Sequence, residues 1–328
     1  MSTNKLDETA SGVFIISATP FTDAGELDLD STDRLMDFYM DKGVSGITIL
    51  GVLGEAPKLS ADESEAFLAR VLKRVNGRVP VIVGVSEPGT DDLARLAGSS
   101  MEHGAAGVMV APVPGLGTEE KLYNYMRQVF IALGDDVPVC YQDFPFLTKS
   151  EISVPLFNRL VNDFKTLVML KHEEWPGLNK LTQVRQSAET DGVRRVSILC
   201  GNGGLFLPEE MGRGADGAMT GFAYPEMMVQ VVDLCSRGEL TRAQTLPERA
   251  QNTISDSLAR TDEIRRRLNQ ENDTLSEAET TRLRTELAAL AMSLGVLPDP
   301  LHKACQAQVD TQGALEDEAL DLLILSGT

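Results

Sequence analysis

The feature that most constrains this 328-residue chain is a repeated alternation, in which short β-branched apolar runs recur along its first two thirds with helical stretches between them. The runs are Val13–Ala18, Gly46–Leu50, Val81–Val85, Gly107–Ala111, Val137–Tyr141, Leu167–Lys171, Ser197–Gly201 and Gly217–Thr220. They are almost continuously hydrophobic, as parallel strands buried on both faces must be, and lack the alternation of a half-exposed antiparallel sheet. The segments 30–42, 60–75, 90–102, 118–133, 154–162 and 177–189 carry apolar residues at three- and four-residue spacing, the period of a helix packed on one face. One opens on Ser60-Ala-Asp-Glu63, a capping-box pattern. Strands recur about every 30 residues, the length of a βα unit, so the pattern predicts an α/β fold, a (β/α)8 TIM barrel. The barrel is expected over 13–235, with 1–12 a flexible N-terminus. Residues 236–328 read as a C-terminal helical region that includes a charged helical excursion at about 260–290.

Charge narrows the partners. A net charge of −19 repels the phosphates of nucleic acid and anionic membrane surfaces, so neither is expected to bind. The chain has no run of about 18 apolar residues, and its start, MSTNKLDETASG, lacks the apolar core of a secretion signal. A cytoplasmic location is the expectation. Three histidines without metal-ligand spacing give no metal site, and four dispersed cysteines read as free thiols.

In a barrel of this kind chemistry sits at the C-terminal ends of the strands. Lys171 closes the apolar run LVML, and a lysine carried from a buried strand into the barrel mouth is favoured as the neutral amine by desolvation. Such an amine condenses with a ketone to an imine, whose nitrogen accepts electrons when a neighbouring bond breaks. A strand-end lysine that snorkels to solvent is the competing reading. Tyr141 ends the neighbouring strand, where its hydroxyl can relay protons or simply pack. Gly51, Val52, Leu53 and Gly54 form a glycine-flanked loop whose backbone amides suit a carboxylate.

At these residues the sequence resembles the dihydrodipicolinate synthase / N-acetylneuraminate lyase superfamily of pyruvate-type aldolases and dehydratases. The resemblance covers about 13–240 and rests on Thr19-Pro-Phe21, the Gly-x-x-Gly-Glu loop at Gly51–Glu55, Tyr141, Lys171, Gly201 and Gly214-Ala-Asp-Gly217. It implies that Lys171 forms an imine with a 2-oxo acid and that Tyr141 relays protons. It also implies a homotetramer or homodimer, and neither a metal nor an organic cofactor.

Departures bear on the substrate. Where the family usually has Gly-Thr-Thr-Gly-Glu this chain has Gly-Val-Leu-Gly-Glu, and the segment 111–117 lacks the tyrosine that a neighbouring subunit contributes in the synthases. The usual Tyr-Asn-x-Pro becomes Tyr141-Gln-Asp-Phe-Pro145, one residue longer, and no arginine follows it. Lysine biosynthesis is therefore not expected. Val52, Leu53, Phe144 and Phe146 make the mouth apolar, favouring an apolar partner. The expected substrate-binding set is Gly51, Val52, Leu53, Gly54, Thr19, Phe144, His172 and Gly201, with His172 or Glu173 replacing the lost proton shuttle. The leading reading is a class I Schiff-base carbon–carbon or carbon–oxygen lyase acting by aldol or hydratase-aldolase chemistry. Alternatives are a sugar-acid (2-keto-3-deoxy acid) aldolase or dehydratase, and a non-catalytic or regulatory barrel binding a small acid.

Overall fold

In the computed structural model the eight apolar runs become β1 (Gly12–Ile16), β2 (Gly46–Ile49), β3 (Val81–Gly84), β4 (Gly107–Val110), β5 (Val139–Asp143), β6 (Leu167–His172), β7 (Ser197–Cys200) and β8 (Gly217–Thr220). Each pairs in parallel with its chain neighbour, and β8 returns to β1, so the sheet closes into a barrel. The structure describes residues 5–175 and 177–246, with isolated positions between 260 and 283.

The helices are α1 (Leu29–Asp41), α2 (Ala61–Val75), α3 (Thr90–Glu102), α4 (Glu119–Leu133), α5 (Pro145–Thr148), α6 (Val154–Asp163), α7 (Leu178–Thr190), α8 (Leu207–Met211) and α9 (Pro225–Ser236). Their starts follow local chemistry. Both bonds of the Ser60/Glu63 capping box are formed at α2, and Ser153 accepts from the Leu156 amide at α6. The short α5 and α8 and the longer α9 all begin with a proline in the first turn, where its missing N–H costs nothing.

Inside the barrel Phe14, Ile16, Ile82, Met109, Cys140, Met169, Leu199 and Met219 form one apolar cluster. Two expectations are corrected. The N-terminal segment is anchored from Leu6, which is buried in that cluster and donates its amide to the Ala106 carbonyl at 2.8 Å. Strand β5 lies two residues further along than the predicted Val137–Tyr141, because Pro138 has no N–H for the ladder and pairing starts after it.

The chain divides into two compact units, Met1–Gln244 and Thr245–Thr328. Within the first, α9 packs on β1 and β8, so the barrel unit runs past the predicted boundary at 235. The charged excursion predicted at about 260–290 and the rest of 247–328 lie outside the described residues, apart from those isolated positions. Among the described residues no helix is long and apolar enough to cross a membrane.

Candidate active site

Strand geometry decides which side chains meet at the mouth. Successive residues of a strand face opposite sides, and Cys140 and Met169 face the barrel interior. Counting on by twos brings Gln142 inward from β5, and Lys171 and then Glu173 inward from β6. Contacts agree with this count. The Lys171 Nζ stands 3.2 Å from Glu173 Oε2, with both side chains more than nine-tenths buried, and Gln142 Nε2 donates to the same oxygen at 2.7 Å. A buried amine, a carboxylate and an amide that fixes the carboxylate therefore converge at one point, on three adjacent inward positions of neighbouring strands. Gly201, at the end of β7, completes the arrangement. A Cβ there would stand 2.3 Å from Glu173 Cγ and 2.5 Å from its Oε1, so only glycine leaves room for the carboxylate.

The same alternation turns Tyr141, Asp143 and His172 outward, into the layer between strands and helices. Tyr141 is fully buried, its ring 6.2 Å from that of Phe157 on α6, and its hydroxyl has no hydrogen-bond partner among the described residues. Burial pushes that hydroxyl well above its usual range, with the nearby Asp143 carboxylate adding to the shift. The expected pairing of Tyr141 with Lys171 is thus corrected, since the two residues face opposite sides of the barrel wall.

His172 is also corrected from a mouth residue to a wall residue. It is fully buried, its Nε2 lies 3.0 Å from the Gly177 carbonyl, and its Nδ1 lies 3.8 Å from Asp143 Oδ2. Gly177 has φ +56°, and a Cβ on it would lie 2.3 Å from His172 Nε2, so the ring and the glycine together shape the loop that follows Glu173. Lys180 of α7 pairs with Asp143 at 2.8 Å and with Glu174 at 2.5 Å. Behind β7, Glu210 is pushed up to about 7 by burial, partly offset by the nearby His172 ring and a hydrogen bond with Cys200.

The remaining expected residues lie around the mouth. Gly51 and Gly54 are buried, while Val52 and Leu53 between them are about half exposed. The loop's own turn uses the amides of Glu55 and Ala56, which bond to the carbonyls of Val52 and Gly51. The amides of Val52, Leu53 and Gly54 have no role in that turn. Thr19 does not offer its hydroxyl to the mouth but donates it to the Gly54 carbonyl at 2.6 Å, tying the loop to the end of β1. Phe144 is half-buried and packs near Phe146, their rings 6.3 Å apart, while Leu147 and Thr148 supply the cavity wall.

That cavity, about 530 Å³, opens between the loops that follow β2, β3, β4 and β5. Its wall includes Gly51, Val52, Met109, Val113, Leu147 and Gln142, so it adjoins both the glycine loop and the carboxylate-fixing amide. Sequence reasoning missed Gln142. The available signal was Pro145, since the family's Tyr-Asn-x-Pro pattern places its first residue three before the proline, which here is Gln142. Ser86 and Glu87, also in the wall, lie in a loop with no pattern to single them out.

A (β/α)8 barrel whose mouth holds a buried lysine paired with a carboxylate is the frame of a Schiff-base enzyme. The sequence profile of the dihydrodipicolinate synthetase family matches residues 9–281. The chain is 28% identical over 242 residues to a 4-hydroxy-tetrahydrodipicolinate synthase of Aquifex aeolicus, covering 72% of this chain and 78% of that protein. It is 30% identical over 231 residues to an L-2-keto-3-deoxyarabonate dehydratase of Azospirillum brasilense, covering 69% and 73%. Among solved structures, a dihydrodipicolinate synthase from Rhodopseudomonas palustris superposes with a TM-score of 0.73 at 41% identity, over 98% of both chains. The chain belongs to the dihydrodipicolinate synthetase family. It is an enzyme of that family's class, a lyase working on a pyruvate-type 2-oxo acid through a lysine Schiff base.

Proposed function

We propose that Lys171 is the covalent amine and Glu173 the proton-transfer group of a class I lyase whose substrate has a largely apolar body. The carrying observation is the 3.2 Å approach of Glu173 Oε2 to Lys171 Nζ, with that oxygen fixed by Gln142. The amine adds to the carbonyl of the 2-oxo acid and water leaves, giving a protonated imine. In the cleavage direction Glu173 takes the proton of the hydroxyl on C4 and the C3–C4 bond breaks. Its electron pair passes into the imine, which becomes an enamine, and an aldehyde departs. Glu173 then returns the proton to C3, and water releases the product from Lys171. The substrate carboxylate fits the amides of Val52, Leu53 and Gly54, since that contact needs backbone donors only and tolerates the loss of the loop's hydroxyls. The apolar cavity wall supports an apolar partner.

A second reading, dehydration of a 2-keto-3-deoxy sugar acid, is favoured by the similarity to the Azospirillum brasilense dehydratase. The same carboxylate would take a proton from C3 of the imine and pass it to the hydroxyl leaving C4. By extension from the family, the active form is a homotetramer or homodimer in the cytoplasm.

The test is intact mass after borohydride reduction with pyruvate, beside Lys171→Ala, followed by product analysis on a panel of 2-oxo acids. A one-to-one adduct lost in the variant is expected. Aldehyde release supports the first reading and loss of water the second, while absence of any adduct supports a non-catalytic barrel.

A further inference from the structure

The cavity beside Gln142 has one charged residue in its wall, Glu87, set among Leu50, Val52, Met109, Pro112, Val113 and Leu147, with no lysine, arginine or histidine in the lining. Glu87 follows β3, in a short turn closed by its own amide on the Val85 carbonyl at 2.8 Å. Among the described residues its carboxylate has no ion pair. Glu87 is part-buried beside an apolar wall, and a negative charge placed there is screened less by solvent than one on an open surface. A substrate tail that carries its own carboxylate into this cavity would meet repulsion and find no cation to pair with. A tail ending in a methyl or hydroxymethyl group meets neither obstacle, and a hydroxyl can donate to Glu87.

We propose that this cavity receives the tail of the 2-oxo acid and that Glu87 restricts it to substrates whose far end is uncharged, excluding dicarboxylates. The proposal rests on the imine reading, and it holds whichever bond is later broken.

Competitive trapping tests it. Equal concentrations of 2-oxohexanoate and 2-oxoadipate, which match in chain length and differ in the terminal group, are offered with borohydride, and the two adducts are counted by intact mass. Wild-type protein is expected to favour 2-oxohexanoate by about tenfold or more, the scale of a like-charge contact in a partly screened site. Glu87→Gln should bring the ratio toward one, and Glu87→Lys should invert it. Equal trapping by wild-type protein, or a ratio unmoved in both variants, would overturn the proposal. So would a pyruvate adduct without one from either six-carbon acid. Trapping with pyruvate alone, run first, separates these results from failure of the imine itself.

Discussion

Gly201→Ala isolates the carboxylate from the rest of the site. An added Cβ would stand 2.3 Å from Glu173 Cγ, against the 3.4 Å at which ordinary contact begins, so one of the two must retreat by roughly 1 Å. Gly201 is held by its amide bond to the His172 carbonyl at 2.9 Å, part of the continuing β6–β7 ladder, whereas Glu173 is a side chain at the edge of the mouth. The carboxylate is therefore the part that moves, and it leaves both Lys171 and Gln142. A displacement of that size at a proton-transfer group costs on the order of 100-fold in turnover. The added methyl displaces one side chain at the edge of the mouth, so the cost in stability should stay near 1–2 kcal/mol. The assays are kcat on whichever 2-oxo acid traps best, a thermal melt, and the yield of borohydride adduct. Low turnover with a melt within a few degrees of wild type, and an adduct still formed, is the expected pattern. Full turnover in a folded Gly201→Ala protein would refute the assignment of Glu173.

Other perturbations separate wall from mouth. His172→Ala should destabilise the fold by about 2–4 kcal/mol, by opening a cavity and orphaning the Gly177 carbonyl, yet still form the pyruvate adduct; denaturant titration and trapping read the two effects. Lys180→Met removes the ammonium group that pairs with the buried Asp143 carboxyl, at an expected cost of about 3–5 kcal/mol by the same titration. Glu210 supplies a pH signature. Its folded value near 7 lies above the ordinary 4.5, so between those values the folded state binds more protons than the unfolded one and stability falls as pH rises. Glu210→Gln should flatten that slope in melts taken from pH 4.5 to 8, and an unchanged slope would assign it to other groups.

The barrel was legible because burial on both faces writes itself into composition: each of the eight strands overlaps an apolar run, β5 with a two-residue offset, and β8 matches to the residue. Lys171 was legible for the same reason, as a charge ending a run that otherwise excludes charge. The partner of Lys171 was harder, because a strand with a period of two converts a one-residue misalignment into the opposite face. Tyr141 draws attention as a tyrosine at a strand end, and matching it to the family pattern requires an extra residue before Pro145. Counting from the proline instead removes the extra residue and puts Gln142 in that position, with Tyr141 on the helix side against Phe157.

The choice between His172 and Glu173 yields to the same rule, since Glu173 stands two residues after Lys171 and shares its face, while His172 cannot. The active-site consequence is chemical. A tyrosine facing the imine would carry its own transferable proton, but the Gln142 amide has none to give at neutral pH and can only orient a neighbour. If the lysine is to exchange protons with a substrate, the carboxylate that Gln142 holds is the group placed to do it. The loss of the inward tyrosine and the presence of Glu173 are two sides of one rearrangement. What no local pattern carries is Glu87, whose place in the cavity wall depends on loops from β2 to β5 meeting across nearly a hundred residues of sequence.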